Sequence, residues 1–189
     1  VNTARNLAQL TVDNDAVGAT LTINGGDITT AILALTNGVV VTGSNTLIHN
    51  GTVTRTTGYV DGNLSRSYTA IDAYTYHVGQ NGYSPVLASV TALGMNPSSL
   101  TVKPTDMTLP GLNAGVSASR YWTLTETGDL TADLAFTYLD ADINGDENDY
   151  RSYKLSGGVI TNMCAGGPCV NAGTNTVTVT GISDFSDWG

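Results

Sequence analysis

The chain has 189 residues, of which 41% are hydrophobic and 12% are charged, and its net charge is −9. Low hydrophobicity combined with high charge marks a disordered chain, so this composition indicates a folded protein with a sizeable core. The seven Lys and Arg residues do not cluster and no apolar run approaches the roughly 20 residues of a membrane-spanning helix, so neither nucleic-acid binding nor membrane insertion is expected.

Residues 1–54 contain short apolar alternations that each end in Asn, Gly or Asp. Thr and Val favour strands, and Gly and Asn favour turns, so this segment predicts a stack of short strands in a β-solenoid or a meander. Residues two apart on a strand share a face. We therefore expect four inward pairs: Leu10/Val12, Leu21/Ile23, Leu33/Leu35 and Val39/Val41.

Residues 55–189 contain every Phe, Tyr and Trp of the chain. Large side chains of this kind fill the space between two packed sheets. Within "LAFTYL", Leu134 and Phe136 share one strand face with Tyr138, and within "NTVTVTGI", Val177 and Val179 alternate with Thr. No useful helical periodicity is present. The sequence therefore predicts an all-β protein, with an antiparallel β-sandwich over residues 55–189.

The segment "YLDADINGDENDY" is the most acidic part of the chain. Asp140, Asp142 and Asn144, followed by Gly145, match the first half of a calcium-binding loop, and Asp146 is a fourth oxygen donor. The twelfth position is Arg151 instead of Glu, and strands flank the segment, which excludes an EF-hand. Two interpretations stay open: a calcium site, the one cofactor considered for this chain, and a hydrated turn between strands.

The two cysteines, Cys164 and Cys169, flank the turn-forming residues "AGGP". A tight turn brings two thiols within bonding distance, so we expect a disulfide between them. A disulfide of this kind persists outside the reducing cytosol. The predicted location is therefore extracellular or at the cell surface.

Candidate catalytic and sugar-binding residues form no convincing constellation. Four acids were considered for glycoside hydrolysis: Glu126, Asp129, Asp133 and Glu147. None of them lies in a pattern that suggests burial, an Asp in "TGDL" is ordinary turn chemistry, and neither His49 nor His77 accompanies a nucleophile motif. Tyr74 and Tyr76 share a strand face and could stack on a sugar, although core packing is the favoured explanation for them. We expect no enzymatic activity.

Four segments, in this order, carry a resemblance to a known class: "GYVDGNLSRSYTA…YTYHVGQNGYSPV", "RYWTLTETG", "ADLAFTYLDADINGDENDYRSYKL" and "NTVTVTGISDFSDWG". Together they resemble the C-terminal β-sandwich module of large secreted bacterial surface proteins, which often follows β-solenoid strands. The resemblance covers about residues 50 to 189. It implies a structural role at the cell surface and brings no catalytic residues.

These observations lead to one functional hypothesis and one alternative. A short strand stack has unpaired backbone groups at its end, which invite a strand from a neighbour. We therefore expect self-association into a homo-oligomer or filament by β-strand addition, with residues 1–25 as the donor segment. The alternative is an adhesive or carbohydrate-binding module that recognises a polysaccharide.

Overall fold

The computed structural model describes residues 4–16, 18–164, 167 and 169–189. Within them lie fifteen strands: β1 (Arg5–Asp13), β2 (Thr20–Thr22), β3 (Ile28–Asn37), β4 (Val39–Arg55), β5 (Tyr59–Tyr68), β6 (Ala73–Tyr76), β7 (Val86–Leu93), β8 (Ser98–Thr105), β9 (Tyr121–Thr127), β10 (Leu130–Thr137), β11 (Tyr153–Ser156), β12 (Val159–Asn162), β13 (Val170–Asn171), β14 (Thr176–Ile182) and β15 (Asp187–Trp188). Two 3-10 turns, Asp140–Asp142 and Glu147–Asp149, interrupt them. The predicted all-β fold is confirmed. The described residues contain no helix that is both long and apolar enough to cross a membrane.

The N-terminal strands pair in parallel and build a short β-solenoid. Three stacks of strand segments result: residues 5–7, 28–30, 46–49 and 63–65 in the first, residues 9–12, 32–35 and 52–55 in the second, and residues 20–22, 39–41 and 59–61 in the third. One passage through the three stacks is called a coil here, and coils 1, 2 and 3 begin at residues 5, 28 and 47. The parallel pairing continues past residue 54 into β5, so the solenoid and the sandwich share one sheet.

Inward side chains of successive coils lie above one another in columns. Leu33 and Leu35 are fully buried, as the predicted alternation requires, and Val12 and Ile23 are buried too. The prediction for "VVV" was wrong, because Val40 is fully buried while Val39 and Val41 are only half-buried. Val40 pairs with Leu21 of the coil before it and Val60 of the coil after it, and this cross-coil register sets its direction.

The remainder of the chain forms two sheets packed face to face. The larger sheet continues the solenoid in the order β1-β3-β4-β5-β8-β9-β15-β11-β12, with β2 paired to β4. The smaller sheet has the order β13-β14-β10-β7-β6. Every strand pair from β5–β8 onward is antiparallel, which is the geometry predicted for a sandwich.

Aromatic side chains hold the two sheets together. Trp122 from β9 and Trp188 from β15 contact Phe136 of β10, with ring centroids 5.1 and 5.8 Å apart. Offset and tilted aromatic pairs add stabilisation beyond the area that they bury. Leu134 and Tyr138 are buried on the same face as Phe136, as predicted. The predicted inward direction is clear for Val179, which is buried, whereas Val177 is half-buried.

Candidate functional site

The first candidate site is the end of the solenoid at coil 1. Among the described residues, β1 pairs only with β3, and β2 pairs only with β4. The other edge of both strands therefore presents unpaired backbone N–H and C=O groups. This edge and the side chains around it are called the open end below.

Apolar side chains are uncovered at the open end. Leu7 stands above the buried Thr30 and is 37% exposed, and Leu21 stands above Val40 and is 39% exposed. Their neighbours one coil deeper are almost fully buried. The predicted inward direction of Leu21 fits this column, and its exposure arises because no described coil lies on top of it.

Polar side chains form ladders between coils. The Asn37 amide donates to the Asp15 carboxylate at 2.6 Å, and the Thr57 hydroxyl donates to the Asn37 side-chain oxygen. The Asn63 amide similarly donates to the Asn45 carbonyl at 3.0 Å. Such ladders fix the register of parallel coils, because a slip would break every rung at once. Asp15 is the outermost member of its ladder and is exposed.

The opposite end of the solenoid is closed by the sandwich. His49 is fully buried, with Nδ1 2.9 Å from the Tyr74 hydroxyl of β6 and Nε2 3.0 Å from the Thr52 carbonyl. Burial lowers the pKa of His49, so the ring is held neutral. The sequence allowed Tyr74 and Tyr76 to be a sugar platform, but both are buried and serve the core.

The second candidate site is the acidic loop. Asp142 is buried and receives two hydrogen bonds from the buried Arg120, at 2.5 Å from Nε and 3.0 Å from Nη2. Arg120 also donates to the Gln80 carbonyl at 2.9 Å, and Asp106 lies 3.8 Å away. This bidentate geometry is the strong form of an Arg–carboxylate pair. Sequence reasoning missed Arg120, although a charged residue directly before the strand "YWTLTET" of a low-charge chain was a usable signal.

The other three predicted calcium ligands have separate partners. Asp140 accepts from the Asn175 amide at 2.6 Å, and Asn144 donates to the Ser117 carbonyl at 3.2 Å. Asp146 caps the second 3-10 turn by accepting from the Asn148 backbone at 3.0 Å. Across the described ranges, no three His, Cys, Asp or Glu side chains are grouped so that they could hold a metal ion. The calcium hypothesis therefore stays a prediction, and any ion would compete with these partners.

A cleft of about 390 Å³ opens beside the acidic loop. The 109–118 segment, the strand β9 and the start of β11 form its walls, with Trp122, Tyr150 and Tyr153 among the lining side chains. Arg151 and Asp149 lie at the same cleft. The volume is within the range of small-molecule sites, and the walls are largely apolar. The Tyr150 hydroxyl already donates to the Asn144 carbonyl at 2.8 Å.

Three of the four acids named for catalysis accept hydrogen bonds from the backbone or from a nearby side chain. Glu126 accepts from the Leu130 backbone, and Asp133 accepts from the Gly181 backbone at 2.8 Å. Glu147 accepts from the Tyr138 hydroxyl at 3.1 Å. His77 contacts the Tyr83 hydroxyl at 2.7 Å, and burial lowers the pKa of His77 to about 4. These contacts explain the residues structurally.

The predicted disulfide between Cys164 and Cys169 is present. It lies between β12 and β13, and Cys164 is buried. Residues 165, 166 and 168 of the enclosed turn lie outside the described residues. A disulfide fits a protein that is not kept in the reducing cytosol.

Comparison with known proteins gave no match: no family model, no curated protein and no solved structure is similar to this chain.

Proposed function

We propose that the protein is a non-enzymatic structural subunit of an extracellular or cell-surface assembly, such as a filament, joined to its neighbours by β-strand addition. The observation that carries the proposal is the open end, where β1 has one unpaired edge and uncovered leucines. A nine-residue edge strand with exposed apolar side chains is a template for another strand.

The edge of β1 lacks the devices that usually protect such strands. Between Asn6 and Val12 it contains no charge and no Pro, and its pairing with β3 is regular until a shift after Val12. Lys, Pro and bulges are the common means of preventing edge-to-edge association. Their absence from the middle of β1 supports a role in association.

We propose a different role for residues 1–25, the segment that the sequence predicts as the donor. Residues 1–3 and Val17 of that segment lie outside the described residues. The strands β1 and β2 within it are already paired with β3 and β4 of the same chain. Donating them would uncover the core leucines of coil 2, whereas accepting a strand costs no such exposure. We therefore propose β1 as the acceptor.

The test is the association state of the purified chain. We expect sedimentation velocity and negative-stain microscopy to show oligomers that grow with protein concentration. Leu7→Lys puts a charge at the uncovered top of its column, where the side chain is 37% exposed, and should shift the chain toward monomers, with circular dichroism verifying the fold. Ile71→Lys, at a 66% exposed position in the turn after β5, is the matched control and should behave as wild type. A chain that is monomeric at all concentrations would contradict the proposal.

The cleft beside the acidic loop favours a second candidate, a carbohydrate-binding or adhesive module. Half-buried Tyr153 could stack on a sugar ring there, with Asp149 and Arg151 as hydrogen-bonding groups. This candidate would be supported if cellulose or chitin particles removed the protein from solution and the Tyr153→Ala variant no longer bound them. Retention of binding in Tyr153→Ala would place the contact elsewhere.

A further inference from the structure

The strands at the ends of the two sheets differ in exposure. Among the described residues, the larger sheet ends in β1 and β12 and the smaller sheet in β13 and β6, while β2 lies off this path and pairs only with β4. The strand β13 has two residues, and alternate residues of β6 are buried tyrosines. All four residues of β12 are exposed, and β1 is exposed over most of its length. At its two ends the larger sheet therefore offers the accessible edges β1 and β12, beside the three-residue β2 at the open end.

The strand β12 is chemically suited to pairing. Its sequence, "VITN", is uncharged, and Val159 is 65% exposed. It forms a hairpin with β11 through Gly157 and Gly158, and nothing lies within 4 Å of the side-chain position of either glycine. The tip of this hairpin is thus open to an approaching molecule.

We propose that β12 of one copy adds to the β1 edge of the next copy, so that the ten-stranded sheet continues from subunit to subunit. This inference rests on the proposed assembly function and identifies the second surface that takes part. Both strands are uncharged in the middle and present exposed aliphatic side chains, Leu7 on one and Val159 on the other.

Charge favours this pairing over a symmetrical contact between two open ends. The open end carries the exposed Asp13 and Asp15 against a single Arg5. Two such ends facing each other would bring acids together, which is destabilising across paired strands. The β11–β12 hairpin, residues 153–162, contains one Lys and no acid. It can approach the acidic end without this repulsion.

The contact joins two different surfaces, so each added copy leaves one free edge of each kind, and repetition generates an open chain of subunits unless the rotation between copies closes a ring. Four residues of β12 cover less than half of the nine residues of β1, so the interface is small. Small interfaces of this kind support weak, concentration-dependent association. Assembly should therefore be visible at high protein concentration and reversible on dilution.

The experiment uses two variants of the full chain, each with one blocked edge. Leu7→Lys blocks β1 and leaves β12 intact, and Val159→Lys blocks β12 and leaves β1 intact. Each variant alone should associate at least about tenfold more weakly than wild type, a loss of about 1.4 kcal/mol. An equimolar mixture should form 1:1 dimers and nothing larger, because only one productive edge pair remains. Ile71→Lys again serves as the control, and circular dichroism verifies the fold of each variant.

The outcomes separate this inference from the proposed function. If wild type associates but Val159→Lys associates equally well, β12 is not the partner and the inference is wrong, while assembly stands. If Val159→Lys forms dimers by itself and Leu7→Lys is monomeric, two open ends pair symmetrically, and the inference is also overturned. If wild type is monomeric throughout, both proposals fail.

Discussion

Removal of the Asp142 carboxylate should destabilise the protein strongly. The substitution Asp142→Ala takes away two acceptors from Arg120, whose side chain is 1% exposed. Removing one partner of a buried ion pair typically costs about 3–5 kcal/mol, because the remaining charge is left without compensation. The Gln80 carbonyl at 2.9 Å and Asp106 at 3.8 Å stay in place, so we expect the lower end, about 3 kcal/mol.

The assay is urea and thermal unfolding of the variant beside wild type. For a chain of this size a loss of about 3 kcal/mol corresponds to a decrease in Tm of about 6–12 °C. Asp140→Ala is the matched control: this exposed acid accepts one hydrogen bond from Asn175, and its loss should cost no more than about 1 kcal/mol. The double variant Arg120→Met/Asp142→Leu removes both charges and should recover most of the stability.

Two results would refute this reasoning. The first is an Asp142→Ala variant within about 1 kcal/mol of wild type, which would mean that Arg120 finds water or another acid easily. The second is a double variant no more stable than the single one. In that case packing and the hydrogen bond from the Leu139 backbone to Asp142, at 2.8 Å, would stabilise the loop more than the charge pair does.

Three further predictions concern pH, calcium and the disulfide. The pKa of His77 is about 4 in the folded state, below its unfolded value of about 6.5. Its contribution to the free energy of unfolding is therefore fully present above pH 6.5 and is lost as the pH falls toward 4. His77→Gln should reduce the pH dependence of Tm between these values, and an unchanged profile would contradict this. The Tm measured with added calcium should equal the Tm measured with a chelator, because the predicted calcium ligands already have protein partners. A rise in Tm with calcium would support the ion site. Replacing both Cys164 and Cys169 by Ser should lower the free energy of unfolding by at most about 2 kcal/mol, because the loop that the disulfide closes is short. A larger loss in urea unfolding would show that the disulfide does more than restrict the unfolded chain.

The class of fold was predictable from local sequence because strand alternation and turn residues are local properties. Leu33 and Leu35, two residues apart, are buried as the alternation required, and the aromatic residues form the sandwich core. The run Val39–Val41 was different, because three consecutive valines carry no alternation. The direction of Val40 is set by Leu21 and Val60 in neighbouring coils, which sequence patterns along one strand cannot reveal.

The acidic loop was only half predictable for a related reason. The spacing of Asp140, Asp142 and Asn144 suggested convergence on one point, but the decisive partner of Asp142 lies 22 residues earlier in the chain. A buried carboxylate pairs with whatever charge the fold brings to it. Arg120 is brought there by the start of β9, and its presence turns the centre of a possible ion site into a structural contact.

The low Lys content has a structural meaning once the sheet edges are known. Natural sheets often carry Lys on their edges to prevent association. This chain has two Lys residues, Lys103 in β8 and Lys154 in β11, and neither lies on β1 or β12. Lys154 pairs with Asp184 at 2.7 Å. The edges that could join subunits therefore carry no Lys, and the charged residues of β1, Arg5 and Asp13, lie at its two ends.

What then restrains association is the net charge of the whole subunit. At −9 each copy repels the next, and this repulsion is screened as ionic strength rises, whereas the apolar and backbone contacts at β1 and β12 are not. We expect the chain to stay dispersed at low salt and to associate as salt is added, which sedimentation velocity across a salt series would measure. Association that weakens with salt would instead mean that attraction between opposite charges at the contact outweighs the repulsion between whole subunits, and would contradict this expectation.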